Sequence, residues 1–159
     1  MFVKNKMTRN PHTISPDQTI PDAHEIMMQH GVKRLPVMKK GKLVGIVSKE
    51  DIQSASPSKA TSLSVGEITY LLSKTTIKQV MSKSIITISP NALLEEAATL
   101  MRDERVGFLP VVDDGNLIGI ITESDIFDSF IELLGFREQG IRLTIEAVDE
   151  PGIMSNLTS

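Results

Sequence analysis

The sequence predicts an α/β (α+β) fold made of two βαββα units that pack about a pseudo-two-fold axis. The first reason is an internal repeat: at an offset of 74 residues with no gap, 17 of the 46 positions from Met7 to Ile52 recur unchanged. The second is the pattern within each copy, where a helical apolar periodicity precedes two short apolar runs. Because each unit has too few strands to close a core alone, we expect the copies to pack face to face.

In the first copy, Ser15-Pro16 ends a short predicted strand, and a helix is expected from about Ile20 to His30. Thr19 is a suitable N-cap, and Gly31 supplies the left-handed residue that ends a helix. The expected apolar face of this helix consists of Ile20, Ala23, Ile26 and Met27.

A β-hairpin follows in each copy. Residues 35–38 should pair with residues 43–48 across a turn that contains Gly41. The second hairpin should turn at residues 113–116, which tolerate positive φ, and a final helix is expected from about Glu123 to Leu134 before Gly135. The first helix of the second copy should repeat this apolar face with Leu93, Ala97, Leu100 and Met101.

The predicted organisation is a first domain at residues 1–55, a linker at 56–76, a second domain at 77–136 and a separate segment at 137–159. The linker begins as a Ser-rich loop. Ser64 and Glu67 then have capping-box spacing, which predicts a short helix through about Ser73. Its apolar residues Ile68, Leu71 and Leu72 predict packing onto the pair of repeats.

Composition excludes several functional classes. The chain has no Cys, no Trp and one Tyr, so disulfides, thiolate metal sites and aromatic stacking platforms for nucleic acid are not expected. A net charge of −3 argues against nucleic acid as a partner, and no apolar run reaches the length of a membrane span. We expect a cytoplasmic protein. Residues 1–55 carry nine basic and five acidic side chains, whereas residues 56–140 carry seven and twelve, so an anion should favour groups from the first half.

An enzyme is not expected. The three histidines are His12, His24 and His30, and the last two lie six residues apart on one helix, about 240° around its axis. They cannot share a metal ion, and no nucleophile and base have a recognisable spacing. No metal or catalytic cofactor is predicted.

The repeated motifs resemble the CBS domain, present twice as a Bateman module over about residues 1–136. Each copy has Thr-Ile-Ser-Pro, then Leu-Pro-Val, then Gly45-Ile-Val-Ser-Lys-Glu-Asp51 or Gly119-Ile-Ile-Thr-Glu-Ser-Asp125. The layout is also similar to acetoin-utilisation accessory proteins, which carry an ACT domain after the pair. The alternating residues 142–148 and the turn at 149–154 are similar to the start of an ACT domain, truncated here; a plain strand and turn is the alternative.

The resemblance implies a regulatory module that binds AMP, ADP, ATP or S-adenosylmethionine between the repeats and signals occupancy to a partner. Where a strand leads into a helix, backbone amides favour an anion. The hydroxyl of Ser48 or Thr122 would contact a phosphate, and the carboxylate of Asp51 or Asp125 would accept hydrogen bonds from a ribose. The same spacing is a capping box, so these residues could instead serve only to cap their helices.

The resemblance also implies an adenine slot, walled by Leu35-Pro36, Leu109-Pro110 and the strand near Ile86. The alternative is that these residues are ordinary core strand residues, and for Leu35 and Leu109 both roles can hold together. In similar modules, basic residues before the Leu-Pro pair reach phosphates held by the other copy. Lys33 and Arg34 would then serve the Thr122/Asp125 site, leaving Ser48/Asp51 without cations and weaker; alternatively, both are simply solvated.

Bateman modules commonly pair, so we expect a homodimer, with a regulated enzyme or an attached ACT domain as further partners. A structural homodimerisation scaffold without a physiological ligand is the alternative function. The residues expected on its helix faces are Met27, Met101, Ile126, Phe127, Phe130 and Ile131.

Overall fold

A computed structural model describes residues 1–57 and 62–135. The first copy contributes α1 (Val3–Lys6), β1 (Thr8–Arg9), α2 (Ile20–His30), β2 (Arg34–Lys39), β3 (Lys42–Ser48) and α3 (Lys49–Ala55). After α4 (Val65–Lys74), the second copy contributes α5 (Ile77–Val80), α6 (Leu94–Glu104), β4 (Phe108–Asp113), β5 (Asn116–Thr122) and α7 (Glu123–Leu134). The ACT-like start predicted at residues 142–154 lies outside the described residues.

The helices α2 and α7 begin and end where the sequence predicts. Thr19 is the N-cap of α2, and Gly31 ends it in the left-handed conformation at φ 64°. Gly135 ends α7 in the same way at φ 70°. Both boundaries follow from local signals, since a cap and a left-handed glycine act on the adjacent turn alone.

Two β-hairpins with the same strand lengths and the same register form the sheets. β2 pairs with β3 and β4 with β5, both antiparallel, and each hairpin has a register shift at the same repeat position. The turn residues Lys40 and Gly41 both have positive φ, as do Asp114 and Gly115. Two such residues form the turn whose twist matches that of the flanking strands.

The strand predicted to end at Ser15-Pro16 is reduced to a single bridge. Ile14 forms one parallel bridge with Val37, and its backbone exchanges hydrogen bonds of 3.1 Å with Pro36 O and 2.9 Å with Met38 N. The chain turns at once toward α2, so no second rung forms. Ile88 repeats this arrangement against Val111.

The copies exchange their leading segments. β1 opens the first copy but pairs with β5 of the second, and Val3 and Met7 lie in the second core. Reciprocally, Ile77 is fully buried in the first core, and Ser82 pairs with Ile46. Each hydrophobic core therefore contains side chains from both repeats.

Glycines permit this exchange. A Cβ at Gly119 would lie 2.7 Å from the Thr8 carbonyl oxygen, and a Cβ at Gly45 would lie 2.9 Å from that of Ser82. The Met7 and Met81 side chains cover the same two positions. The repeated Met and Gly of the sequence are thus one contact, made twice.

The linker helix α4 packs on the first core through Leu72, as predicted, but Leu71 is 46% exposed. Three residues expected on a partner-facing surface are instead core residues: Met27, Met101 and Ile126 are 5–6% exposed. They lie on the faces of their helices that cover the sheets. Phe127 on α7 is 66% exposed. No helix in the described residues is long and apolar enough to cross a membrane.

Candidate functional site

The two corners singled out by the sequence lie where β3 enters α3 and β5 enters α7. Ser48 Oγ accepts a hydrogen bond of 3.1 Å from the Asp51 amide, and Asp51 Oδ2 accepts one of 2.8 Å from the Ser48 amide. Thr122 and Asp125 make the equivalent pair of bonds at 3.3 and 2.9 Å. The capping box, left open as an alternative, is formed in both copies.

Several backbone amides at these corners have partners within the protein. Besides the capping bonds, the Lys49 N–H donates to the Lys33 carbonyl at 2.8 Å, and the Glu123 N–H to the Gly107 carbonyl at 3.1 Å. The expected contact between these corners and an anion stays a prediction.

A cleft of about 300 Å³ opens beside the first corner, between the copies. We call it the Ser48 cleft. From the first copy it is lined by Arg34, Ile46, Ser48, Glu50 and Asp51, and from the second copy by Ser82, Ser84, Arg105, Val106, Gly107 and Phe108.

Two arginines line the Ser48 cleft. Arg34 lies directly opposite Ser48 in the hairpin, and Arg105 reaches the cleft from the end of α6. The expectation that this site has no cation is therefore wrong. An antiparallel hairpin places the first residue of β2 beside the last residue of β3, so Arg34 borders the corner of its own copy.

The electrostatics of Glu50 show the same basic surroundings. A hydrogen bond to its own backbone lowers the pKa of the Glu50 carboxyl, against partial desolvation that raises it. Arg34, the Ser48 hydroxyl and Lys33 lower this pKa further. Lys33 and Arg34 thus both act at the first corner.

The second corner has different neighbours. Phe108 occupies the position opposite Thr122 that Arg34 occupies opposite Ser48. Asp125 lines a recess of about 140 Å³ together with Lys6, Asp128, Ser129 and Glu132, and Lys6 forms an ion pair with Glu132. Carboxylates outnumber cations there.

The predicted adenine-slot residues have core positions. Leu35, Pro36, Leu109 and Pro110 are fully buried, and Ile86 packs partly buried against the second core. None of the five lines the Ser48 cleft, whose apolar lining is Ile46, Val106 and Phe108. Leu35, Pro36, Leu109 and Pro110 are thus core residues in this conformation, and the adenine slot stays a prediction.

Sequence reasoning missed two features. The first is the position of Arg105 in the Ser48 cleft. Arg105 aligns with Gly31 in the repeat, and an arginine where a helix-ending glycine is expected was the signal that could have revealed it. His12, which aligns with Ile86, stacks on His30 with ring centroids 3.6 Å apart. No cluster of three potential metal-binding side chains occurs in the described part of the chain.

Comparison with known proteins agrees with the duplicated architecture. The family model for the CBS domain matches residues 3–58 and 77–132. The CBS domain-containing protein YhcV of Bacillus subtilis is 34% identical over 124 residues, which cover 78% of this chain and 81% of YhcV. An inosine-5′-monophosphate dehydrogenase of Korarchaeum cryptofilum is 33% identical over 144 residues, 90% of this chain but only 27% of the dehydrogenase.

Solved structures give the same result. AcuB from Vibrio cholerae, provisionally assigned to acetoin utilization, has a TM-score of 0.72 at 34% identity, covering 87% of this chain and 96% of AcuB. CBSX2, crystallised with AMP, has a TM-score of 0.69 at 30% identity, covering 83% and 97%. The CBS domain pair of MJ0100, crystallised with 5-methylthioadenosine and S-adenosyl-L-methionine, has a TM-score of 0.68 at 29% identity, covering 82% and 95%.

These matches span both repeats, and the exchanged segments join the repeats into one unit. The chain belongs to the CBS domain family and is built as a Bateman module.

Proposed function

We propose that this chain is a sensor that binds an adenine nucleotide between its two CBS repeats and signals occupancy to a partner domain or protein. The observation that carries the proposal is the Ser48 cleft, because both repeats line it and it contains two arginines and the carboxylate that caps α3. A ligand bound there would contact both copies and favour one packing of them.

The capping box leaves room for a ligand at Asp51. Its hydrogen bond from the Ser48 amide uses Oδ2. Among the described residues, no hydrogen bond to Asp51 Oδ1 is formed, and a carboxylate has lone pairs on both oxygens. Asp51 can therefore cap α3 with one oxygen and accept the hydroxyls of a ribose with the other.

Related structures support adenosine as the common group. CBSX2 was crystallised with AMP, and MJ0100 with 5-methylthioadenosine and S-adenosyl-L-methionine. The four candidates AMP, ADP, ATP and S-adenosylmethionine share this adenosine. The assignment of Thr122 and Asp125 to a ligand site, predicted from the sequence to be the tighter of the two, remains part of the proposal.

The proposal is tested with Asp51→Asn, which keeps an oxygen to cap α3 but replaces the second oxygen by an amide. We expect isothermal titration to show at least tenfold weaker binding of adenosine or AMP than in the wild type, with an unchanged melting temperature. Asp125→Asn is the matched variant for the second corner. The proposal fails if neither variant changes binding, or if no adenine ligand binds the wild type.

Transmission would use α7. This helix begins at the Thr122 corner and ends at Leu133 and Leu134, each 61% exposed and available to a following domain or partner. Structures with and without nucleotide should differ in the position of α7 relative to α2. An identical position in both would contradict this route.

A homodimerisation scaffold is the second candidate function. Phe127 and Phe130 on α7 border an apolar groove against Ala98 of α6, and Phe127, Leu133 and Met28 are at least 61% exposed. Light scattering with Phe127→Asp distinguishes the two functions. A dimer that dissociates in this variant, together with no change in melting temperature on addition of any adenine ligand, would favour the scaffold. Ligand at 100 times Kd should instead stabilise a sensor by about 2.7 kcal/mol per site.

A further inference from the structure

The tips of the two β-hairpins have the same backbone conformation. Lys40 and its repeat equivalent Asp114 both have φ 50°, and the glycines that follow them have φ 77° and 80°. The strands on either side of each tip pair in the same register. We call the two turns the lysine tip (residues 39–42) and the aspartate tip (residues 113–116). They have one backbone shape and differ in their side chains.

The side chains of the two tips carry opposite charges. The lysine tip has Lys39, Lys40 and Lys42, whereas the aspartate tip has Asp113 and Asp114. All five side chains are exposed. Equivalent positions of the two repeats therefore present a positive surface in one case and a negative surface in the other.

The backbone of the turn does not account for the lysines. A turn with two residues of positive φ is formed best by Asn-Gly, Asp-Gly or Gly-Gly, because most other side chains are strained there. Asp114 follows this preference, whereas Lys40 has the same φ of 50° without suiting it. Lysine at this position thus indicates a role for its charge outside the turn.

Among the described residues, the charges at the tips have no partner in an ion pair. The ion pairs found there are Lys6–Glu132 and Arg102–Asp103, neither of which includes a residue of the tips. The tips line neither the Ser48 cleft nor the apolar groove beside α7. Both tips therefore remain available for contact with a second molecule.

We propose that the lysine tip of one molecule binds the aspartate tip of a second copy, so that copies associate head to tail. A second copy is the partner because it presents the opposite charge on a turn of the same shape. Contact between like tips would instead bring equal charges together, which opposes association. Exposed charge pairs are individually weak, so this contact should set the orientation of the copies more than the strength of their association.

Exchange of the charges tests the contact by sedimentation velocity on the full chain. One variant combines Lys39→Asp with Lys40→Asp, and the other combines Asp113→Lys with Asp114→Lys. Every substitution introduces the residue that the other repeat already has at that position, so both variants should melt like the wild type.

We expect the wild type to self-associate in about 20 mM NaCl, and about fivefold more weakly in about 300 mM NaCl, because salt screens exposed charges. Each variant alone should self-associate about fivefold more weakly than the wild type at low salt, since its two tips have the same sign. An equimolar mixture of the two variants should recover the association of the wild type.

The control combines Lys74→Asp with Lys78→Asp. Both lysines are exposed outside the tips, and this variant changes the net charge as much as Lys39→Asp with Lys40→Asp does. It should self-associate like the wild type. An equal loss in the control would assign the effect to net charge and overturn the contact.

Disulfide formation tests which tips meet. The chain has no cysteine, so Lys42→Cys and Asn116→Cys each introduce a single one, at equivalent positions of the two tips. Under oxidation, a mixture of these variants should form chiefly the mixed disulfide, because a disulfide requires Cα atoms within about 7 Å.

The contact is wrong if each cysteine variant alone cross-links as fast as the mixture, if salt does not weaken association, or if the wild type stays monomeric at low salt. The tips lie outside the Ser48 cleft, so each of these results would leave the proposed sensor function standing.

Discussion

At the scale of single residues, charge distinguishes the two corners more than shape does. Ser48 and Thr122 make matching capping boxes, yet Arg34 faces one and Phe108 the other. The repeat made the caps predictable, because a hydroxyl and an acid three residues apart act locally. The repeat could not show which cleft Arg34 lines, because the position of Arg34 depends on the hairpin register and on the packing of one copy against the other.

Glu50 should weaken phosphate binding in the Ser48 cleft, since its carboxylate lines the same space. We expect Glu50→Gln to bind AMP about two- to fivefold more tightly, the range for an exposed charge pair, with adenosine affinity unchanged. Titration calorimetry of both ligands at neutral pH measures this. Equal AMP affinity in the variant and the wild type would place the phosphate away from Glu50.

The pH dependence follows from the same residue. Because its pKa is lowered from 4.5, Glu50 stays ionised well into the acidic range. The contribution of its contacts to stability is present above the unfolded value and is lost as pH falls through the folded pKa. The difference in the free energy of unfolding between the wild type and Glu50→Gln, measured by urea denaturation without ligand, should therefore stay constant from pH 7 down to about 5 and change only at lower pH. A difference that already changes above about pH 5 would contradict the lowered pKa.

At the scale of elements, the helices and hairpins were predictable, but the pairing of the leading segments was not. α2 and α7 have caps and glycine stops in the sequence, and the hairpins have turn residues. Val3 and Met7 are apolar and could be buried in either core. Their placement in the second core depends on how the two copies pack, which the local sequence does not specify. The repeated Gly45 and Gly119 were the signal, since a glycine inside a strand marks a close backbone approach.

Gly119→Ala should disturb β1, because the new Cβ would lie 2.7 Å from the Thr8 carbonyl oxygen. We expect a loss of about 1–3 kcal/mol in the free energy of unfolding, measured by urea denaturation followed by circular dichroism. Gly66→Ala is the matched control in α4, where the nearest atom is 4.0 Å away, and it should be neutral or stabilising by up to about 1 kcal/mol. Similar stabilities for the two variants would show that β1 can move away at little cost.

At the scale of the whole molecule, the exchange makes one cooperative unit of two repeats. Ile77 is fully buried in the first core although it opens the second copy, and Val3 is fully buried in the second core. The sequence predicted that the units depend on each other for a core. It did not reveal that each would contribute side chains to the interior of the other.

Ile77→Ala should therefore destabilise the entire chain rather than the first repeat alone. Removing a fully buried isoleucine side chain costs about 2–5 kcal/mol, and we expect the urea transition to stay single and shift to lower concentration. Hydrogen exchange should show lost protection in β5 as well as in β3. Two separate transitions, with only one shifted, would mean that the repeats unfold independently.

The crossing of the leading segments has an architectural consequence. A single repeat of this type would lack the leading segment that completes its core, and its own leading segment would have no core to pack on. It could form a complete core only by exchanging that segment with a second molecule. When two repeats are joined in one polypeptide, this exchange of segments becomes intramolecular and no longer depends on protein concentration. Chains assembled on this plan should accordingly gain or lose repeats in twos.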